Sequence, residues 1–361
     1  MFQHIIQPMH EQFKATLGSA TVATAQGHGV KRMVLRYLYV LRGVAAAFTA
    51  KTAALYFGVF SELLGPLAGV IKLYSTSPEV GEVVLRLVGD LITRASPLLP
   101  GPQKGALFQS AAAVLQQYAT AYGGGAAGAA DSAQVDVLLD VLSLIAETVM
   151  FQPADPTSPM QVSTVLLQGV QTLPTVVKPA MLQEPELCLK FFEVIRRVTS
   201  ECAAELYTAE ALTAGIVTML QTGIAGANLV CSTAATSLVS ICEVHTARTR
   251  EGRGSAAIAA AVVPLMDLLV RTALLETLSS TVADRVGLAL HASICVDPAR
   301  FKSIAELLVG KADAVNRPLV RQGFATLMEG AMPLVIDRGG QRKFKEALKV
   351  FFRSCKGLLA P

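Results

Sequence analysis

The chain has 361 residues, of which 52% are hydrophobic and only 16% are charged. This composition excludes disorder over most of the length, because disordered chains combine low hydrophobicity with high net charge. The net charge of +4 favours no class of partner by itself. The core must be built from Leu, Val, Ile and Ala, and helices are expected because Ala and Leu favour helix and few alternations of β-strand type occur.

The helix predicted over residues 77–91 shows how the elements begin. Ser77 can cap the free amides of the first turn, Pro78 suits the first helical position, and Glu79 suits the positive end of the helix dipole. Apolar side chains then recur on one face, at Val83, Val84, Leu87, Val88 and Leu91. A proline opens a predicted helix in four later segments, TSPM (157–160), QEPEL (183–187), VDPARF (296–301) and NRPLV (316–320).

Helix cores of this kind recur at irregular intervals along the whole chain. Comparable positions, spaced by 38 to 54 residues, are Leu85, Leu139, Leu189, Cys231, Ala283 and Arg321. Each interval can hold two antiparallel helices, and repeats of about 40–50 residues are typical of HEAT-like solenoids. We therefore predict an all-α, HEAT-like helical-repeat superhelix (α-solenoid), with about fourteen helices in one continuous array over residues 1–361.

Several signals interrupt the helical pattern. GGGAAGAADSAQ (123–134) predicts a flexible Gly/Ala loop at about 122–133, and Pro174, Pro179 and Pro264 predict kinks or helix ends. The stretch 211–242 has no formal charge and is long enough to span a membrane, but TGIAGAN (222–228) is a helix-stop signal within it. Two buried helices are the favoured interpretation of that stretch.

No motif in the sequence carries catalytic or cofactor chemistry. GGGAAG (123–128) matches a dinucleotide fingerprint literally, but a helical segment precedes it where a strand is required, and VGKA (309–312) is not a phosphate-binding loop. Cys242 and His245 lie one helical turn apart, but two ligands do not complete a zinc site. The six cysteines form no CxxC pair and suit a reduced, intracellular compartment. We predict no catalytic, cofactor-binding or metal site and no enzyme.

The most distinctive local pattern is a basic helix predicted at about residues 341–357. Its cations recur at steps of three and four residues and form a basic stripe of Arg342, Lys345, Lys349, Arg353 and Lys356. The neighbouring stripe is apolar and contains Phe344, Leu348, Phe351, Phe352 and Cys355. The cations are either the solvated face of an end-capping helix or a contact for an acidic partner. Nucleic acid is less favoured, because the aromatic residues are not interleaved with the cations.

Four segments resemble the exportins of the importin-β (karyopherin) superfamily of nuclear transport receptors. They are FQHIIQPMHEQFKATL (2–17), LRGVAAAFTAKT (41–52), FGVFSELLGPLAGVIKLYSTSPE (57–79) and FKEALKVFFRSCKGLLAP (344–361). The resemblance runs in order along nearly the whole chain and is weak near 120–160 and 205–290. These segments are helical packing patterns, so no single one is specific. The specificity of the resemblance comes from the order and extent of the match.

The resemblance implies a nuclear export receptor that binds Ran-GTP and protein cargo, such as translation initiation factor 5A. It also implies contacts with nuclear pore proteins, shuttling between nucleus and cytoplasm, and no membrane insertion. Receptors of this kind are longer, so we expect the N-terminal repeats of the family to be absent here. The first helix, near Ile5 to Leu17, should then pack against one neighbouring layer, with Ile5, Ile6 and Phe13 partly exposed.

Two other classes of function stay open from the sequence. A generic HEAT-repeat scaffold or adaptor, such as a phosphatase or vesicle-coat subunit, would share the fold and lack any dependence on Ran. An enzyme with an unrecognised site would need a deep pocket lined by convergent polar groups.

Overall fold

The computed structural model describes residues 2–19, 27–123, 130–151, 161–275, 278–355 and 358. Within these ranges the chain forms sixteen α-helices and no strand, so the all-helical prediction is confirmed. The helices are α1 (Phe2–Ser19), α2 (His28–Ala46), α3 (Ala53–Leu73), α4 (Pro78–Arg94), α5 (Gly101–Tyr122), α6 (Ser132–Phe151), α7 (Val162–Val176), α8 (Pro185–Glu201), α9 (Ala203–Thr208), α10 (Glu210–Ile224), α11 (Asn228–Arg250), α12 (Ala256–Leu275), α13 (Ser280–Val296), α14 (Pro298–Lys311), α15 (Arg317–Ala331) and α16 (Arg338–Cys355).

The helices form two compact units, Met1–Lys190 and Phe191–Pro361. Within each unit, a helix packs mainly against the next helix and the one after it in chain order. This confirms the coarser expectation of helices stacked in sequence order. The HEAT-like repeat type and the single continuous array stay predictions.

Polar contacts in the first unit join residues that lie one predicted interval apart. Arg42 of α2 donates to Asp90 of α4, 48 positions later, at 2.7 Å. The hydroxyl of Tyr122, at the end of α5, donates to the carbonyl oxygen of Tyr74, also 48 positions away, at 3.0 Å. Lys190 of α8 donates to an Asp136 oxygen of α6, 54 positions earlier, at 2.6 Å. These separations fall within the range of 38 to 54 residues that the sequence indicates.

The same contacts give the direction of the stacked helices in the first unit. Lys31 and Arg42 of α2 pair with Glu79 and Asp90 of α4, in that order along both helices. A helix therefore runs parallel to its equivalent one interval later, and the connecting helix between them must run back. This is the arrangement expected of stacked helical hairpins.

Proline does open several helices, but the capping residues differ from the prediction. Ser77 occupies the N-cap position of α4, yet its side chain makes no capping hydrogen bond. The amide of Val80 instead donates to the carbonyl oxygen of Ser77 at 3.0 Å. The side chain of Asp297 provides a true cap for α14, because it accepts a hydrogen bond from the Arg300 amide at 2.9 Å.

The predicted interruptions agree with the structure in part. Helix α7 ends two residues after Pro174, and Pro179 lies between α7 and α8, whereas α12 continues past Pro264. A proline can be accommodated inside a helix when the packing of its neighbours stabilises the whole element. Half of the predicted Gly/Ala loop (124–129) and the TSPM segment lie outside the described residues, and at the two ends of the predicted loop Tyr122 belongs to α5 and Ser132 begins α6.

The uncharged stretch 211–242 is divided between two helices, because α10 ends at Ile224 and α11 begins at Asn228. This agrees with the two-helix interpretation. By length and composition alone, three described helices are apolar enough to cross a membrane, namely Ala53–Leu73, Asn228–Arg250 and Ala256–Leu274. Between 39% and 61% of their apolar windows is buried within the chain itself.

The first helix is better covered than the sequence predicts. Phe13 was expected to be partly exposed, but only 2% of it is accessible to solvent. Its ring packs against Tyr37 of α2, with the ring centroids 4.5 Å apart. The expectation for Phe13 is therefore wrong, and the ring of Tyr37 contributes to its cover. The side chains of Ile5 and Ile6 lie outside the described part of the chain.

Candidate protein-binding surface

The predicted basic helix is observed as α16, Arg338–Cys355, which packs on α15 through glycines. A Cβ atom added at Gly323 of α15 would lie 2.5 Å from the sulfur of Cys355, and one at Gly330 would lie 2.5 Å from the Cβ of Ala347. The later residue of α15, Gly330, meets the earlier residue of α16, Ala347. The two helices are therefore antiparallel and closely packed.

The apolar face of α16 also covers α13. Leu348 packs over Gly287, and Phe344 stacks on His291 with ring centroids 5.0 Å apart. Burial lowers the pKa of His291 to about 4, so the imidazole is neutral at pH 7 and packs as an aromatic ring. Phe344, Leu348 and Phe351 are buried as predicted, whereas Phe352 is half-buried.

Asp337 fixes the first turn of α16. Its side chain accepts a hydrogen bond from the amide of Gly340 at 2.6 Å, and its carbonyl oxygen accepts one from Gln341 at 2.9 Å. A carboxylate at this position satisfies free amides and favours the positive end of the helix. The cap starts the helix at Arg338, so this additional cation joins the spacing of the basic stripe.

The basic stripe is exposed only in part. Arg342, Lys349 and Arg353 are exposed, Lys345 is half-buried, and Lys356 lies outside the described residues. Lys345 forms an ion pair with Asp284 of α13, and Lys349 donates to Glu346 at 2.8 Å. That hydrogen bond, with the charges of Lys349 and its neighbours, lowers the pKa of Glu346.

The free protein is therefore less charged along this stripe than five unpaired cations would make it. Two of its four described cations, Lys345 and Lys349, have anionic partners, which reduces the repulsion between neighbouring cations. An exposed pair of this kind contributes about 0–1 kcal/mol, so it is easily exchanged for a partner's carboxylate. Arg342 and Arg353 remain the cations of the stripe with no ion pair among the described side chains.

One further cation, Arg250, joins α16 from a distant part of the sequence. The guanidinium of Arg250, at the end of α11, donates to the carbonyl oxygen of Leu334 at 3.1 Å, although 84 positions separate them. Gln341 of α16 contacts Glu243 of α11 at 3.5 Å. The end of α11 thus lies beside the start of α16. Sequence reasoning missed Arg250 because no local pattern reports a contact over that separation.

These cations make one basic surface on the second unit. We use this name for Arg250, Arg338, Arg342, Lys343, Lys345, Lys349 and Arg353. The nearby carboxylates are Glu243, Asp284, Asp337 and Glu346, so the surface keeps a positive excess. A positive field of this kind raises the association rate of an acidic partner and weakens with salt.

The groups that carry reactive chemistry are mostly buried and inert. Burial raises the pKa of the Cys295 thiol to about 11 and that of Cys202 to about 12, so both are thiols at neutral pH. His245 contacts the hydroxyl of Tyr207 at 3.2 Å, and burial lowers its pKa. No group of three or more His, Cys, Asp or Glu side chains suited to a metal occurs within the described ranges.

No protein-family model matches the sequence. The features of the chain that bear on its function are therefore the helical stacking, the basic surface and the resemblance of four segments to exportins. The basic surface directs its charged side chains to solvent rather than to the core.

Proposed function

We propose that this chain is a protein-binding segment of a nuclear export receptor and corresponds to the C-terminal third of exportin-4. On this proposal the helices form a HEAT-like array over residues 1–361, bind protein cargo and Ran-GTP, and shuttle through the nuclear pore. Translation initiation factor 5A is a cargo that the resemblance implies. The chain itself carries no catalytic role in this proposal.

The observation that carries the proposal is the recurrence of parallel helix contacts about one interval apart, as in Arg42–Asp90 and Lys190–Asp136. Stacked helical hairpins expose long rows of side chains, and such surfaces bind whole proteins. The four segments that resemble exportins supply the link from a general binding fold to nuclear export. The resemblance includes most of α1, α3 and α16.

The basic surface supplies the expected chemistry of one contact. Its exposed guanidinium groups suit carboxylates, because arginine can bind a carboxylate through two parallel hydrogen bonds. An acidic stretch on a cargo protein or on Ran is the matching partner. The contact is expected to act mainly on the association rate, because surface charges steer encounter more than they hold the complex.

The test is a binding assay with the two nucleotide states of Ran. The chain, and any longer protein that contains it, is immobilised and exposed to GTP-locked Ran or GDP-bound Ran, with and without cargo. A transport receptor should retain the GTP-locked form preferentially and should bind cargo more tightly when that form is present. Equal retention of both forms would contradict the proposal.

The alternative is a generic helical-repeat scaffold with no dependence on Ran. It is favoured by the same stacking and requires none of the four resembling segments. In the Ran assay it predicts partner binding that is unchanged by either nucleotide state. The two functions are therefore separated by a single experiment.

A further inference from the structure

The first unit contains an open groove between α1 and α2, with a volume of about 600 Å³. Its floor is apolar and is formed by Met9, Phe13, Met33 and Tyr37, and its rim is formed by Gln12, Gly29, Arg32 and Arg36. Methionine side chains adapt to different apolar shapes, which suits a floor that receives another surface.

A buried hydrogen-bond chain holds the two walls of this groove in place. The Tyr37 hydroxyl lies 2.8 Å from Nδ1 of His10, and Nε2 of His10 lies 3.1 Å from Glu62 of α3. Burial raises the pKa of Tyr37, so its hydroxyl stays protonated and donates to Nδ1. The Nε2 proton of His10 can then be donated to Glu62. The groove is therefore formed before any ligand arrives.

The rim of the groove carries two cations. Arg32 and Arg36 lie one helical turn apart, are exposed, and have no ion-pair partner among the described residues. The carboxylates of the surrounding helices are already engaged. Glu79 pairs with Lys31, Asp90 with Arg42, and Glu62 with Lys14, while Glu11 accepts a hydrogen bond from Gln7.

The groove lies on one flank of α2, and the other flank already forms an interface in this unit. On its opposite flank, α2 packs against the parallel helix α4 through apolar contacts and through two ion pairs at Lys31 and Arg42. The groove flank presents the same combination, an apolar floor with two cations. A helix with apolar residues and carboxylates would reproduce on this flank the kind of contact that α4 makes on the other.

We propose that the groove binds an amphipathic helix of another protein that carries two carboxylates one turn apart. The apolar face of that helix covers Met9, Met33 and the rings beneath them, and its carboxylates pair with Arg32 and Arg36. This is helix-in-groove recognition with charges that set the register. The proposal depends on the fold of the first unit and does not require Ran or cargo.

The experiment uses two labelled helical peptides of about 18 residues, a length close to that of α1 and equal to about 27 Å of helix. Both have leucines on one face. One has two glutamates one turn apart on the flank, and the other has two lysines there. Fluorescence anisotropy at low salt measures the binding of each peptide to the full chain, to Arg32→Glu/Arg36→Glu, and to the control Arg94→Glu, which reverses an exposed arginine at the end of α4.

The glutamate peptide should bind the unmodified chain and the Arg94→Glu control equally, and about tenfold or more weakly to the double variant, because two exposed ion pairs become repulsive. The lysine peptide should show the reverse preference. Circular dichroism checks that the double variant keeps its helical content. The absence of this exchange, or binding of neither peptide, would overturn the proposal.

The same three proteins distinguish two other possible occupants of the groove from an amphipathic helix. Self-association seen by analytical ultracentrifugation, and lost in Arg32→Glu/Arg36→Glu, would assign the groove to a second copy of the chain and overturn the partner named here. Binding of oleate in place of both peptides would assign it to a fatty-acid carboxylate, with the same consequence.

Discussion

Helix α4 in the first unit and helix α16 in the second use their charged residues in opposite ways. In α4, Glu79 and Asp90 pair with cations of α2, and Glu82 pairs with Arg86 at 2.9 Å. In α16, one carboxylate, Glu346, accompanies six cations over residues 338–355. The α4 helix, which is stacked on both sides, pairs Glu79 and Asp90 with a neighbouring helix, whereas α16 leaves Arg338, Arg342 and Arg353 without an ion pair among the described side chains.

The first way to sharpen this comparison is to remove the same apolar group from both helices. Leu87→Ala in α4 and Leu348→Ala in α16 both delete a buried leucine, which costs about 2–5 kcal/mol of the free energy of unfolding. We expect Leu87→Ala to lie at the upper end of this range, because α4 has stacked neighbours on both sides. Urea denaturation followed by circular dichroism measures both values.

A larger loss from Leu348→Ala than from Leu87→Ala would break the comparison. It would mean that the packing of α16 contributes as much to the free energy of unfolding as the packing of α4, which has neighbours on both sides. Stacked helices can unfold in more than one step, so the transition should be followed by two probes.

Acid should weaken the contact between α16 and α13. His291 has a folded pKa of about 4, below its ordinary value, because burial disfavours the imidazolium; Asp337 partly opposes this effect and Phe344 covers the ring. The unfolded chain therefore binds the proton first as the pH falls. Stability should fall between about pH 6.5 and 4, by a few kcal/mol at most.

His291→Gln removes this titration and should reduce the slope of the stability profile over that pH range, leaving the smaller contribution of His245. The variant also loses the ring contact with Phe344, which changes its stability at pH 7 independently of the titration. The prediction concerns the slope alone. An unchanged slope in the variant would show that another group governs the acid response.

Two glycines should respond to an added methyl group with stability changes of opposite sign. Gly323 lies where α15 and α16 approach closely, and Gly58 of α3 does not. Gly323→Ala places a methyl group 2.5 Å from the Cys355 sulfur and should cost about 1–3 kcal/mol. Gly58→Ala in α3 meets no atom within 4 Å and should stabilise the helix by about 0.5–1 kcal/mol. Thermal unfolding of both variants measures the difference, and a tolerated Gly323→Ala would contradict the packing of α16.

The smallest effect on folding, and the most specific effect on binding, is expected from the unpaired cations. Arg342→Glu/Arg353→Glu leaves the Lys345–Asp284 and Lys349–Glu346 pairs intact. We expect several-fold slower association with an acidic partner at low salt and little change at high salt. The control Lys302→Glu/Lys311→Glu reverses two exposed lysines of α14.

Stopped-flow or surface plasmon resonance kinetics with the acidic cargo as ligand measures this effect. Reversing Lys345, Lys349 and Arg353 together should also slow association, but Lys345→Glu would face Asp284 and Lys349→Glu would face Glu346. Some loss of stability is therefore expected in that triple variant. Equal association rates for the Arg342/Arg353 variant and its control would contradict this prediction and would favour the interpretation of α16 as a solvated end-capping helix.

The sequence predicts the helical content and the approximate repeat interval because both depend on local apolar spacing. The buried positions of Phe344, Leu348 and Phe351 follow from the same periodicity. By contrast, the burial of Phe13 involves the ring of Tyr37 on the next helix, and no pattern within α1 predicts that contact. The pairs of Lys345 with Asp284 and of Arg250 with Leu334 depend on contacts over 61 and 84 positions.

The capping residues show a similar limit. Ser77 has the residue type and the position of a cap, yet its hydroxyl makes no capping bond, whereas Asp297 does cap α14. Propensity names residues that are able to cap, and the local backbone geometry decides which of them do so. The groove between α1 and α2 was likewise absent from the sequence interpretation, because it needs two helices to be placed side by side.

The measurement that tests the proposed function most directly is the affinity for Ran in its two nucleotide states, determined by surface plasmon resonance on the chain and on any longer protein that contains it. Cargo is present in one series and absent in the other. We predict preferential binding of GTP-locked Ran that cargo strengthens, with reciprocal strengthening of cargo binding by Ran-GTP. Binding that is equal for the GTP-locked and GDP-bound forms, or absent for both in the longer protein, would contradict assignment to nuclear export.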